Sequence, residues 1–407
     1  MMQTGLFSST TDPIPPLRGD VDVITMDHNG RTVLYFHDPL GYATSDFALD
    51  SSIEPVLSLL NGTFSVNALR NYLEKSISED ELLSFIRMLD EARLLESPYS
   101  RTYASALEQD FESSGLRSPA LSGSSYPEDP QQLSIWLDRI LSSAEGEFES
   151  KNALFAPHID TRVGTESYAK AFSSLKKLKP KRVVILATAH YTGYYPGMYD
   201  HTPFIGTNKR FVFPHGSLEP DSETLDKLTA EGESIGYTDN DRAHRIEHSI
   251  ETHLLFARHI WQHDFTIVPI LTGSFDELFY MKDGDLAGKI SRFTKLLKEL
   301  HTPDTFYLIS GDLCHYGKKF GDTATASQLH EEVKVFDDTF LELASANKTD
   351  ELLSHIGMEH DPYKVCGFPP LFTLLNTFPE LKGIPQDYKV WDETARESAV
   401  SYGIISF

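Results

Sequence analysis

The feature that most restricts how this chain folds is a rhythm in its last two-thirds, where short apolar runs alternate with longer amphipathic stretches. The runs at 153–157, 182–188, 265–271 and 305–310 are dominated by aliphatic and aromatic residues and carry no regular polar alternation. Strands of that kind are covered on both faces. Between and around them, 131–141, 167–176, 248–261 and 286–300 place apolar residues at helical spacing, and such helices return the chain to begin the next parallel strand. The pattern predicts an α/β fold with a central, mostly parallel sheet flanked by helices.

Ligands of such sheets collect at the carboxyl ends of the strands, so the polar residues that follow each run are the ones to inspect. The first run is followed by His158-Ile159-Asp160, the second by His190-Tyr191, and the last by Gly311-Asp312-Leu313-Cys314-His315. A single histidine in such a place is ordinarily a hydrogen-bonded loop residue, but imidazoles converging from adjacent strands suit a divalent transition metal. Asp312 and His315 read either as a carboxylate–imidazole pair that orients a ring or handles a proton, or as a cap beside a surface histidine. His248 and Glu251, in Glu247-His-Ser-Ile-Glu251, share one face of a helix start. They form a pocket wall or a capping arrangement, and the spacing is not that of a zincin. Cys366 precedes an apolar helix, where a thiol becomes a better ligand or nucleophile. The other reading of Cys366, a small buried apolar residue, is also the one expected for Cys314.

The N-terminal third has a different pattern. Residues 1–20 read as a tail. A hairpin is expected across Asn29-Gly30, because both turn positions need positive φ. Helices follow, one of them opened by a capping box at Ser78-Glu79-Asp80-Glu81. Residues 21–100 therefore form a small α+β domain, similar in element order to winged-helix-like peptide-binding domains of the PqqD type. Residues 101–118 are expected to link it to the α/β domain at 119–407, at the start of a Ser-, Gly- and Pro-rich tract that runs to Pro130.

Two domains suit a length of 407 residues. With 60 acidic against 36 basic residues and a net charge of −24, the chain lacks the positive surface that displaces counterions from phosphate, which argues against nucleic acid as a partner. It has only two cysteines and no apolar signal region, so a reducing, cytoplasmic setting with free thiols is expected. No uninterrupted apolar stretch reaches the roughly 18 residues of a membrane span.

Seven blocks, in order, resemble those of the Memo family. They are Ser122-Gly-Ser-Ser-Tyr-Pro-Glu-Asp-Pro130, Ala156-Pro-His158, Ala187-Thr-Ala-His190, Glu247-His-Ser-Ile-Glu251, Ser310-Gly-Asp-Leu-Cys-His-Tyr-Gly317, Cys366-Gly367 and Ser398-Ala-Val-Ser-Tyr-Gly403. The resemblance implies a fold like that of class III extradiol dioxygenases. It implies a mononuclear metal held by His158, His190 and Cys366, with Fe(II) first and Cu or Zn as alternatives. It places His315 and Asp312 as acid/base residues and surrounds them with His248, Glu251, Asp160, Tyr191 and Cys314. A thiolate stands where those dioxygenases use a carboxylate, which counts against ring cleavage. Ile159-Asp160 replaces the family's Ala-Gly, Thr188-Ala189 its Gly-Pro, and Cys314 its Ser, so pocket size and polarity are expected to differ. The implied function is a non-haem iron- or copper-dependent redox protein acting on a small molecule or peptide. The alternatives are a non-enzymatic peptide- or protein-binding module, in which the N-terminal domain recruits a partner, and a zinc hydrolase. Radical-SAM and AMMECR1-like proteins are the pathway partners that the resemblance suggests.

Overall fold

Val183 to Ala187 are five consecutive apolar residues with no polar face to turn to water. In the computed structural model, which describes residues 5–144 and 148–407, they form the middle of the central strand Arg182–Thr188. The chain divides into two units, one ending at Ser113 and the other running from Ser114 to Phe407.

The second unit is built on a 12-stranded sheet. From one edge its strands run His315–Gly317, Ser398–Ser406, Ala153–Ala156, Thr305–Ser310, Arg182–Thr188, Thr266–Thr272, Gly216–Pro220, Arg210–Phe213 and Leu116–Arg117. Phe204–Gly206, Tyr237–Thr238 and Ile384–Glu393 join beside this path. The four strands from Ala153–Ala156 to Thr266–Thr272 are parallel and in step. Ala156, Ser310, Ala187 and Leu271 stand in one row across them. That row matters because the residues just beyond it all emerge at one edge.

Helices cover both faces, as a sheet buried on two sides requires. One layer holds Pro130–Ser142, Thr165–Ser173 and Ser249–Ile260. Its core is a stack of rings, with Tyr168 and Phe172 lying 5.1 and 4.9 Å from Phe256; such pairs contribute about 0.5–1.5 kcal/mol each beyond the area they bury. The opposite layer holds Asp285–Glu299, Ala326–Ser345, Thr349–Ile356 and Phe368–Thr377, packed on the sheet through Phe293, Phe340 and Leu371. Among the described residues no helix is long and apolar enough to cross a membrane.

The first unit contains the hairpin Asp22–His28 and Arg31–His37, with Asn29 and Gly30 at φ 56° and 75°. A third strand, Ala48–Asp50, completes a small sheet. The capping box is present: the Ser78 hydroxyl accepts from the Glu81 amide and the Glu81 carboxylate accepts from the Ser78 amide, opening the helix Glu79–Glu91. The expected tail is anchored at points within its described residues, with Ile14 1% exposed and its amide on the Phe64 carbonyl. The span 101–118 is helical as far as Ser113, in Pro98–Ser113, and its end contributes the strand Leu116–Arg117.

Candidate metal centre

The row of strand ends delivers three groups to one place. Beyond Ala156, His158 is buried; beyond Ser310, Asp312 is buried; beyond Thr188, His190 lines the opening. The Asp312 carboxylate accepts from the His158 and Ile159 amides at 3.1 and 3.3 Å, which ties the first two strand ends together. The fourth contribution comes from far along the chain. Gly311 and Gly367 touch backbone to backbone: a Cβ on Gly311 would lie 2.2 Å from the Gly367 Cα, and one on Gly367 would lie 2.7 Å from the Asp312 carbonyl oxygen. Only a residue without a Cβ permits that approach. It sets the Cys366 sulfur 3.3 Å from the Asp312 amide and 3.5 Å from His158 Nε2.

The hydrogen bonds decide which ring nitrogens face the centre. The Ser310 hydroxyl gives its one hydrogen to the Ser249 carbonyl at 2.7 Å, so it must accept from His158 Nδ1 at 3.1 Å. His158 Nε2 is then left with its lone pair toward Cys366. His190 Nδ1 donates to the Glu247 carboxylate at 2.8 Å, and the other Glu247 oxygen accepts from the His190 amide at 2.7 Å. His190 Nε2 is thereby also directed to the centre. This is how proteins fix the tautomer and orientation of metal-binding imidazoles.

One ligand atom from each of His158, His190 and Cys366 lies within 4.8 Å of the others. The 3.5 Å between His158 Nε2 and Cys366 Sγ matches the edge, about 3.6 Å, of a tetrahedron with metal–ligand distances of roughly 2.0–2.3 Å. Two imidazoles and a thiol fit iron, copper or zinc and not magnesium or calcium. Glu247 with His190 and His248, and Asp312 with His315 and Cys366, form two further groupings that share ligands with the first.

Burial sets most of the protonation. It pushes His158 well below the ordinary imidazole pKa, reinforced by the neighbouring rings. His248 and His315 are brought to about 4 by burial and by His190. Burial also opposes charge on His190, but Glu247 and Cys366 together outweigh it and hold that pKa well above the usual value. Against its own burial, Glu247 is held to about 2, chiefly by His190. Asp312 is lifted to about 7 by burial, despite the two amides that it accepts from. His315 Nδ1 faces the Leu313 and Lys364 carbonyls at 3.2 and 3.1 Å and must donate to them, so its Nε2 is an unprotonated base.

The remaining residues read from the sequence fall at different distances. The His248 ring stacks on His190 at 4.9 Å and meets His158 edge-on at 5.4 Å, so it belongs to the centre itself. Tyr191 is 6.2 Å from the His190 ring. Asp160 is paired with Arg162. Cys314 does not join the centre: its buried thiol donates to Asp337 at 3.1 Å, because Cys314 and His315 point to opposite sides of the chain. Glu251 is more than a wall or cap. It accepts from Arg117, from the Ala120 and Leu121 amides at 2.7 and 2.9 Å, and from the Tyr126 hydroxyl at 2.5 Å. Arg117 also donates to the Glu247 and His244 carbonyls. The Ser/Gly/Pro-rich tract is thus anchored on a buried carboxylate, which supplies the hydrogen bonds that its apolar-poor sequence cannot replace by packing. Glu247, Ser310 and Arg117 carry no distinct signal as separate residues in the sequence. Glu247 and Ser310 do stand inside quoted blocks, and that is the one pointer to them.

A family model described as "Memo-like protein" matches residues 117–406. The chain belongs to the Memo family. This Memo-family protein is 26% identical over 385 residues to a MEMO1 family protein of Aquifex aeolicus, covering 91% of this chain and 94% of the relative. It is 26% identical over 331 residues to a MEMO1 family protein of Thermus thermophilus, covering 81% and 93%. With Protein MEMO1 of Homo sapiens it shares 25% identity over 280 residues, covering 65% and 85%. The Aquifex match is longer than residues 114–407 alone could supply, so it reaches into the first unit.

Proposed function

We propose that this Memo-family protein holds one redox-active transition ion, iron or copper, on His158, His190 and Cys366, and acts as an oxidoreductase on a small ligand in the cleft. The reading is carried by the hydrogen-bond pattern: Ser310 and Glu247 occupy the Nδ1 atoms of two imidazoles, one buried and one at the opening, so both Nε2 atoms turn to one thiol. When bound, the ion supplies electron transfer and Lewis acidity. The chain supplies the rest. His315 Nε2 offers an unprotonated lone pair to a bound ligand near neutral pH, because burial keeps that ring uncharged. Asp312, titrating at about 7, is the group that holds and returns a proton there, as acid/base work near neutral pH requires. His248, stacked on His190, bounds the space left for a ligand.

Elemental analysis of untagged full-length protein purified without chelators tests this. About one iron or copper per chain is expected in the native protein, and loss of it in His158→Ala and Cys366→Ser variants with unchanged circular dichroism. Zinc alone, or metal content unaffected by both substitutions, overturns the redox reading.

A further inference from the structure

A second cavity, of about 340 Å³, adjoins the centre without sharing its imidazoles: Cys366 lines it, but His158, His190, His248 and His315 do not. It opens at the ends of Arg182–Thr188 and Thr266–Thr272, the edge where α/β sheets bind ligands. Two carboxylates face it, Asp276 and Asp361. Among the described residues neither forms a close side-chain ion pair; Lys364, also in the wall, acts on Asp361 only at longer range. The ammonium of Lys364 is engaged by Asp322 at 2.7 Å, and Asp322 is not part of the cavity wall. Asp361 accepts from the Val365 amide at 3.1 and 3.0 Å, and burial together with Asp276 lifts its pKa to about 6. Thr272 supplies an independent sign of a missing ligand. It is 1% exposed, it lines the cavity, and its buried hydroxyl has no hydrogen-bond partner among the described residues. Buried hydroxyls are ordinarily satisfied. The rest of the wall includes Phe279, Val365 and Pro369, an apolar surface with an aromatic ring that also attracts cations. Past Ser274 and Asp276 the cavity meets another of about 300 Å³, whose wall adds Asp200 and Glu277.

We propose that this cavity binds a primary amine with an apolar body, its ammonium group held between Asp276 and Asp361 and hydrogen-bonded to the Thr272 hydroxyl. A cation there neutralises two carboxylates that have no close side-chain ion pair and satisfies the orphaned hydroxyl. A neutral or anionic ligand of the same shape does neither. The inference does not rest on the metal reading, and its test removes the metal.

The test is calorimetric titration of EDTA-treated full-length protein with 2-phenylethylamine, 2-phenylethanol and phenylacetate at neutral pH and low salt. Saturable binding of the amine at one site is expected, at least tenfold tighter than that of the alcohol, with no binding of the acid. Asp276→Asn and Asp361→Asn each weaken the amine at least tenfold and leave the alcohol unchanged. The side-chain oxygen left by Asp361→Asn still accepts from the Val365 amide, so the loop keeps its shape. Thr272→Val, equal in volume, weakens the amine severalfold, and Asp12→Asn in the first unit has no effect. Equal affinity for amine and alcohol, or amine binding indifferent to both Asp substitutions, overturns the proposal.

Discussion

Arg117→Met probes how the opening tract supports the centre. Arg117 and Glu251 have side chains only 1% and 0% exposed, so the substitution leaves a carboxylate in the interior without its cation. Removing one partner of a buried ion pair costs about 3–5 kcal/mol. Glu251 keeps three other donors, from Ala120, Leu121 and Tyr126, which places the expected loss nearer the lower figure. At roughly 2–4 °C per kcal/mol for a unit of this size, the melting temperature falls by about 6–12 °C. All three tryptophans, Trp136, Trp261 and Trp391, lie in the second unit, so tryptophan fluorescence during urea or thermal unfolding reports that unit alone. A second variant, Arg117→Met with Glu251→Gln, removes the stranded charge and is expected to recover about 1–2 kcal/mol of the loss. The pH dependence has a definite sign. In the native protein Arg117 holds the Glu251 pKa down against burial, which is stability present above the unfolded pKa and lost as pH falls. Without Arg117 burial raises the Glu251 pKa in the variant, which then takes up a proton on the way from pH 7 toward 4 and is relieved of its buried charge, so the gap to the native protein narrows over that range. A loss below about 1 kcal/mol, or a double variant no more stable than the single one, refutes the claim that this pair is what anchors the tract.

Ser310→Ala removes the acceptor that fixes His158 Nδ1, and metal affinity measured by chelator competition is expected to fall about 10–100-fold. Gly311→Ala drives a Cβ to 2.2 Å from the Gly367 Cα. It should cost about 1–3 kcal/mol or more and make the Cys366 thiol more reactive toward a disulfide reagent, whereas Gly193→Ala, with open space around it, should be silent. Asp337 is raised to about 6 by burial, so ionising it costs stability as pH rises from about 4 to 6. Asp337→Asn should gain on the native protein by up to about 3 kcal/mol between pH 4 and 7 in urea unfolding; a pH-independent difference contradicts this.

Much of the molecule was legible from residue order. The apolar runs with no polar face could only be strands covered on both sides, and the polar residues after them could only emerge at one edge. The hairpin at Asn29-Gly30 and the capping box at Ser78 are local devices, decided by a few neighbouring residues. Distances between elements are of another kind. That Gly311 and Gly367 meet, that Glu247 grips His190, and that Arg117 closes on Glu251 across 134 positions of chain depend on how parallel strands align and helices pack. Cys314 and Cys366 look alike as letters, yet one thiol faces Asp337 and the other faces two imidazoles. Periodicity determines which way a strand or helix turns its side chains. Only the packed structure, through close backbone approach and buried hydrogen bonds, determines which of those side chains meet.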